Sequence, residues 1–125
     1  MTNEQFKRLV SALREASFDT LIEKSEQYSG GGDPLHNFKV GAAMTGRTPA
    51  QTAWGYMVKH LVALHDMVER NDFSNLDDLL EKCQDSINYI CNIWAMANDG
   101  RTKINGEHIQ VGNIRIDASG VSVDG

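Results

Sequence analysis

The apolar period of this chain changes just after Gly100. Before that point apolar residues recur at three- and four-residue steps; from Ile104 onward they alternate with polar ones. A period near 3.6 gives a helix one apolar face, a period of 2 gives a strand one, and neither pattern sits stably as the other. The 125 residues therefore predict a mainly α fold, a helical bundle of three long helices plus a short one over residues 1–100. Residues 101–125 are expected to form a small C-terminal β-hairpin appendage.

The first long helix is read from Asn3 to Tyr28, with Phe6, Leu9, Val10, Leu13, Ala16, Ser17 and Leu21 on one face and Thr2 or Asn3 as its cap. Gly30-Gly31-Gly32-Asp33-Pro34 stops it. Leu35 to Thr45 is short and mixed, with room for one or two helical turns. The second long helix has the clearest start. Thr48-Pro49-Ala50-Gln51 puts Thr at the N-cap, Pro at N1 and Gln at N3, and the helix runs to about Arg70. The third is read from Ser74 to about Asn98, with Asp77 and Asp78 in its first turn. Its Ser86–Ala97 half is apolar nearly all round, which predicts burial inside a bundle or an oligomer. Beyond Gly100, Ile109, Val111, Ile114, Ile116, Val121 and Val123 alternate with polar residues around an Asn105-Gly106 turn signal. Two or three short strands are expected, packed on the helices or on a neighbouring subunit.

Twelve Lys and Arg against 17 Asp and Glu leave a net charge of −5, which argues against a nucleic-acid backbone binder. No apolar stretch is long enough to span a bilayer, and the N-terminus shows no secretory signal, so no membrane role and a cytoplasmic location are expected. Cys83 and Cys91 lie eight residues apart on one helix. That spacing is roughly 12 Å at about 1.5 Å per residue, too far for a disulfide, so both are expected to be reduced and buried.

The most informative chemistry is a polar stripe on the third long helix. Glu81, Asp85, Asn88 and Asn92 fall at i, i+4, i+7 and i+11, within an arc of roughly 60° at about 100° per residue. Two carboxylates one turn apart repel unless a cation lies between them, and Mg²⁺ favours such ligands together with waters and phosphates. The alternative is that the stripe is simply the solvated face. On the second long helix Asp66 and Glu69 are three residues apart and can face one ligand; Asp66 also stands four before Arg70, a common surface ion pair. Lys24, Lys39 and Lys59 are candidate phosphate contacts. His60 reads as a packed side chain. The four histidines show no i, i+4 pair and there is no Cys-x-x-Cys, so zinc is not expected.

Four runs carry a resemblance: Lys24-Ser-Glu-Gln-Tyr28, Leu35-His-Asn-Phe-Lys39, Gly55-Tyr-Met-Val-Lys59-His60 and Glu81-Lys-Cys-Gln-Asp85-Ser-Ile-Asn88-Tyr89. Over residues 18–97 the chain resembles small phage and prophage proteins similar to the MazG-like, all-α nucleoside triphosphate pyrophosphohydrolases. The resemblance implies a homodimer or homotetramer and Mg²⁺-dependent cleavage of a (deoxy)nucleoside triphosphate to monophosphate and pyrophosphate, in the cytoplasm of the host if the chain is phage-encoded. It places Glu81 and Asp85 as catalytic residues, Asp66, Glu69, Glu81 and Asp85 around the metal, and Lys24, Asn37, Lys39, Lys59, Asn88 and Tyr89 at the nucleotide. The family's usual paired Glu at the start of the second motif is Glu81-Lys82 here, and its first motif is Asp-x-x-Glu. Both reduce the acidic count, which keeps an alternative open: a nucleotide-sequestering protein on the same scaffold, without hydrolysis.

Overall fold

A computed structural model describes residues 1–29 and 32–123. The helices are α1 (Asn3–Ser29), α2 (His36–Thr45), α3 (Pro49–Arg70) and α4 (Leu76–Ala97); the strands are β1 (Thr102–Asn105), β2 (His108–Val111), β3 (Ile114–Asp117) and β4 (Gly120–Val123). The chain divides into two compact units, Met1–Ile93 and Trp94–Gly125. The mainly helical architecture with a small β appendage is thus as expected. The appendage holds four strands rather than two or three.

α1, α3 and α4 start where side chains can satisfy free backbone N–H groups, whereas α2 follows Leu35 with no side-chain cap. At α1, Thr2 Oγ1 accepts from the Gln5 amide at 3.1 Å while Gln5 Oε1 accepts from the Thr2 amide at 2.9 Å. The same reciprocal box stands at α3 between Thr48 and Gln51, at 3.1 and 3.0 Å. At the far end of α3, Asn71 turns left-handed with φ 49°. The start of α4 differs from expectation. Asn75 Oδ1 accepts from the Asp78 amide at 3.1 Å, whereas Ser74 donates to the Asp72 carboxylate at 2.7 Å. A nearby Asp thus draws Ser74 into an Asx turn and leaves the cap to Asn75. α2 runs for ten residues, longer than one or two turns. Asp33 Oδ1 accepts from the Leu35 amide just ahead of it. Two glycines of the expected α1 stop, Gly30 and Gly31, lie outside the described residues.

The core of the helical unit is built from small side chains. Ser17, Ala42, Thr52, Ala53 and Ser86 are buried with Met57 and Leu35. Ser17 and Ser86 return their hydroxyls to the carbonyls four residues earlier, at 2.6 and 2.7 Å, so no polar atom is stranded there. Small residues let helix backbones approach closely. A Cβ on Gly41 of α2 would stand 3.0 Å from the Tyr56 hydroxyl of α3.

α4 is inverted relative to an ordinary surface helix. Its polar stripe is turned inward: Asn88 is 8 % exposed and Asp85 15 % at its side chain. Leu76, Ile90 and Trp94 lie within about 40° of the opposite side of the helix, and Leu80 about 70° from it. They are exposed, Leu76 by 68 % and Ile90 by 57 %. The predicted burial of Ser86–Ala97 is therefore not achieved within one chain, and Cys91 is exposed rather than buried. Both cysteines are free. The first half of α1 likewise presents Phe6, Leu9 and Val10 to solvent.

The strands form one antiparallel sheet in the order β1-β2-β3-β4. Its register aligns Ile104, Ile109, Ile116 and Val121 in one cross-strand row and Thr102, Val111, Ile114 and Val123 in the next. Alternation puts both rows on the same face, opposite Lys103, Gln110, Arg115 and Ser122. Among the described residues no helix is long and apolar enough to cross a membrane.

Candidate functional site

A cleft of about 380 Å³ opens within the helical unit, a size that suits a small organic ligand. α4 supplies Asp85, Asn88, Tyr89 and Asn92; α1 supplies Lys24, Ser25 and Tyr28; Asn37 and Phe38 of α2 and Tyr56 of α3 complete the main lining. Asp85, Asn88 and Asn92 of the stripe thus wall a cavity, whereas Glu81 is exposed and outside the lining, on the solvated side of the same stripe.

Asp85 sits between a lysine and a buried imidazole. Lys24 Nζ lies 3.8 Å from its Oδ1, and His60 Nδ1 lies 3.5 Å from its Oδ2. Neither separation is that of an ordinary hydrogen bond. His60 is buried, and among the described residues its Nδ1 has no hydrogen-bond partner. Burial lowers its pKa from the usual imidazole value, and the Asp85 charge opposes that shift. The imidazole stacks on Tyr89, with ring centroids 5.6 Å apart and planes 28° apart. Phe38 meets the same Tyr89 edge-on at 6.4 Å and Tyr56 at 6.2 Å. Burial, and next the Asp85 charge, push the Tyr89 phenol up. Asn88 Oδ1 is fully enclosed and, among the described residues, accepts no hydrogen bond. A buried amide oxygen without a donor costs about 1–3 kcal/mol, which makes it an unfilled half-interaction.

Of the residues expected at a nucleotide, the structure brings Lys24, Asn37, Asn88 and Tyr89 together. Lys39 is not among them: it pairs with Asp33 ahead of α2 and lowers the Asp33 pKa. Lys59 is exposed and outside the lining, because it stands about 100° around α3 from His60.

The expected four-carboxylate metal set is not assembled within the chain. Asp66 and Glu69 lie about 120° and 180° around α3 from His60, the residue that faces Asp85. They flank the exposed His65 instead, at 3.4 and 4.0 Å. Among the described residues no three His, Cys, Asp or Glu are grouped to hold one metal. Glu81 and Asp85, one turn apart on α4, remain. Two carboxylates suffice for Mg²⁺ when waters and ligand phosphates fill the other positions, so this donor pair fits that ion with a nucleotide present.

Sequence reasoning reads His60 as a packed side chain, which its burial bears out, but gives no site role to it or to Tyr28, Phe38 and Tyr56. His60 carried a usable signal. It falls three residues after Met57 and seven after Ala53, on the buried arc of α3, where a titratable side chain needs a partner. The aromatics gave none, since spacing does not tell a cleft wall from a core. No protein-family model, curated protein sequence or solved structure matches the chain.

Proposed function

We propose that this chain binds a nucleoside phosphate in the cleft and that Glu81 and Asp85 carry its Mg²⁺-dependent cleavage to monophosphate and pyrophosphate. The observation behind the reading is the inversion of the middle of α4, which turns Asp85, Asn88 and Asn92 toward an aromatic-walled cleft. A bound Mg²⁺ would neutralise phosphate charge and acidify an attacking water. In the hydrolysis, water attacks the α-phosphorus, the bond to the bridging oxygen breaks, and pyrophosphate leaves. Glu81, the solvent-open member of the pair, accepts the proton of the water. Lys24 faces the leaving pyrophosphate from α1.

A second reading is favoured by one feature of Asp85. Lys24 already balances its charge, which suits a protein that holds a nucleotide intact. Incubation with Mg²⁺ and a panel of nucleoside triphosphates, followed by mass spectrometry, separates the two. Pyrophosphate release that Glu81→Gln and Asp85→Asn abolish supports hydrolysis. Tight binding with intact nucleotide leaves sequestration, and no binding at all ends both.

We also infer that the chain works as a homodimer or homotetramer, because Leu76, Leu80, Ile90 and Trp94 form an apolar stripe along α4 that one chain leaves in water. Sedimentation at 13.9 kDa across micromolar concentrations would overturn this.

A further inference from the structure

We infer that the N-terminal half of α1, up to Arg14, is a docking arm that lies on the first turns of α4 in a second copy of this chain. This rests on the proposed self-association and adds what covers that end of the α4 stripe.

The arm is a helix that its own chain does not use. Every residue from 1 to 10 is exposed, and Phe6 and Leu9 are each more than half open to solvent. It is nevertheless a committed helix: the box between Thr2 and Gln5 closes its first turn, and Arg8 pairs with Glu4 at 2.7 Å. A helix in a protein draws most of its stability from packing one apolar face. Ser17, further along α1, is buried, and Phe6, Val10 and Leu13 lie within about 40° of it around the helix. The face that the helical unit buries at Ser17 therefore runs on into solvent for about three turns.

Charge picks the occupant. Residues 1–14 hold Lys7, Arg8 and Arg14 against Glu4 alone, three bases to one acid, in a chain whose total is −5. Lys7 and Arg14 stand about 60° and 40° from Val10, so they edge the apolar face. The opposite combination occurs where α4 begins. Residues 71–81 hold Asp72, Asp77, Asp78 and Glu81 and no base. Leu76 and Leu80 are exposed there, and the exposed Asp77 stands about 60° from Leu80. An apolar face edged by bases fits one edged by acids, and such edges set partner and register. Both faces are open in the same chain, so they do not meet within it. Between two copies each arm takes the other's α4, and the two identical contacts close a two-fold dimer. An anionic membrane would take the arm but leave the acidic, apolar start of α4 in water.

The test is sedimentation equilibrium of the full chain, with two charge-reversed variants alone and mixed. Lys7→Glu/Arg14→Glu sets acids against acids, and Asp77→Lys sets bases against bases. Each alone should self-associate roughly 10-fold more weakly than wild type, because like charges meet at both contacts. An equal mixture should return to within about 3-fold of wild type, since every contact of the mixed pair again joins a base to an acid. Phe6→Ser, at an exposed position, should keep the helical circular dichroism and also weaken association. If wild type associates but the arm variants are neutral, or the mixture gains nothing, the inference is overturned and an oligomer through α4 stands without the arm. Binding to phosphatidylglycerol vesicles that Lys7→Glu/Arg14→Glu abolishes, with association unchanged, assigns the arm to a membrane and overturns it as well. A monomeric wild type removes the proposed self-association and the arm's role together.

Discussion

The Asp85–His60 pair makes a prediction whose sign is set by burial. Burial lowers the His60 pKa, so as pH falls the unfolded chain takes up this proton before the folded one. The associated stability is complete above the ordinary imidazole value of about 6.5 and declines as pH drops below it. Asp85 limits the decline, because once His60 is protonated the two charges stand 3.5 Å apart with side chains only 11 % and 15 % exposed. Coulomb attraction at that distance reaches about 5 kcal/mol at an effective dielectric near 20, and desolvation and salt leave a fraction of it as net coupling. A double-mutant cycle over His60→Gln and Asp85→Asn, read by urea unfolding, isolates this term. Near pH 8 the coupling should stay under about 0.5 kcal/mol; near pH 5 it should rise to about 1–2 kcal/mol, and Asp85→Asn should lose stability faster than wild type on acidification. A coupling that is unchanged with pH, or larger at the alkaline end, would refute the placement of a buried, titrating imidazole against Asp85.

Two glycines in the helices should respond oppositely to alanine. Gly55 has open space around its missing Cβ, so Gly55→Ala should stabilise α3 by up to about 1 kcal/mol, seen as a higher urea midpoint. At Gly41 the same change meets Tyr56 Oη at 3.0 Å and Thr52 Cγ2 at 3.2 Å; crowding of about 1–3 kcal/mol should outweigh the propensity gain and weaken nucleoside binding through Tyr56. Thr48→Ala removes one arm of the α3 capping box and should lower stability by about 1 kcal/mol in thermal unfolding. Met57, 1 % exposed, is the largest fully buried side chain; Met57→Ala should lose about 2–5 kcal/mol by cavity formation.

What the sequence reveals and what it hides follow from the range of the interactions. Thr48, Pro49 and Gln51 locate the start of α3 because a capping box closes within four residues. The register change after Gly100 exposes the strands for the same reason. Ser74 misleads because Asp72, two residues earlier, competes for its hydroxyl. The stripe of Glu81, Asp85, Asn88 and Asn92 is visible as a periodicity, yet its direction is not. A helical wheel is unchanged by rotation, and only the packing of α4 on α3 shows that Asn88 faces a cavity while Ile90 faces water. Asp66 and Glu69 look like site residues by spacing; the angular distance from His60 puts them elsewhere. Tyr28, Phe38 and Tyr56 come from three different helices, and nothing local links them.

The β appendage has a consequence in time rather than in space. Every strand pairs with its neighbour in the chain, and each connection spans two residues, as at Gly106-Glu107. Loop closure at such short range is fast, and hairpins form in about 1–10 μs. The helical unit must instead bring α4 to a cleft whose other walls begin about 60 residues earlier, at Leu21. The sheet should therefore zip up as a low-contact-order module before that cleft exists. In stopped-flow refolding followed by far-ultraviolet circular dichroism it would contribute a burst phase ahead of the slower closing of the site.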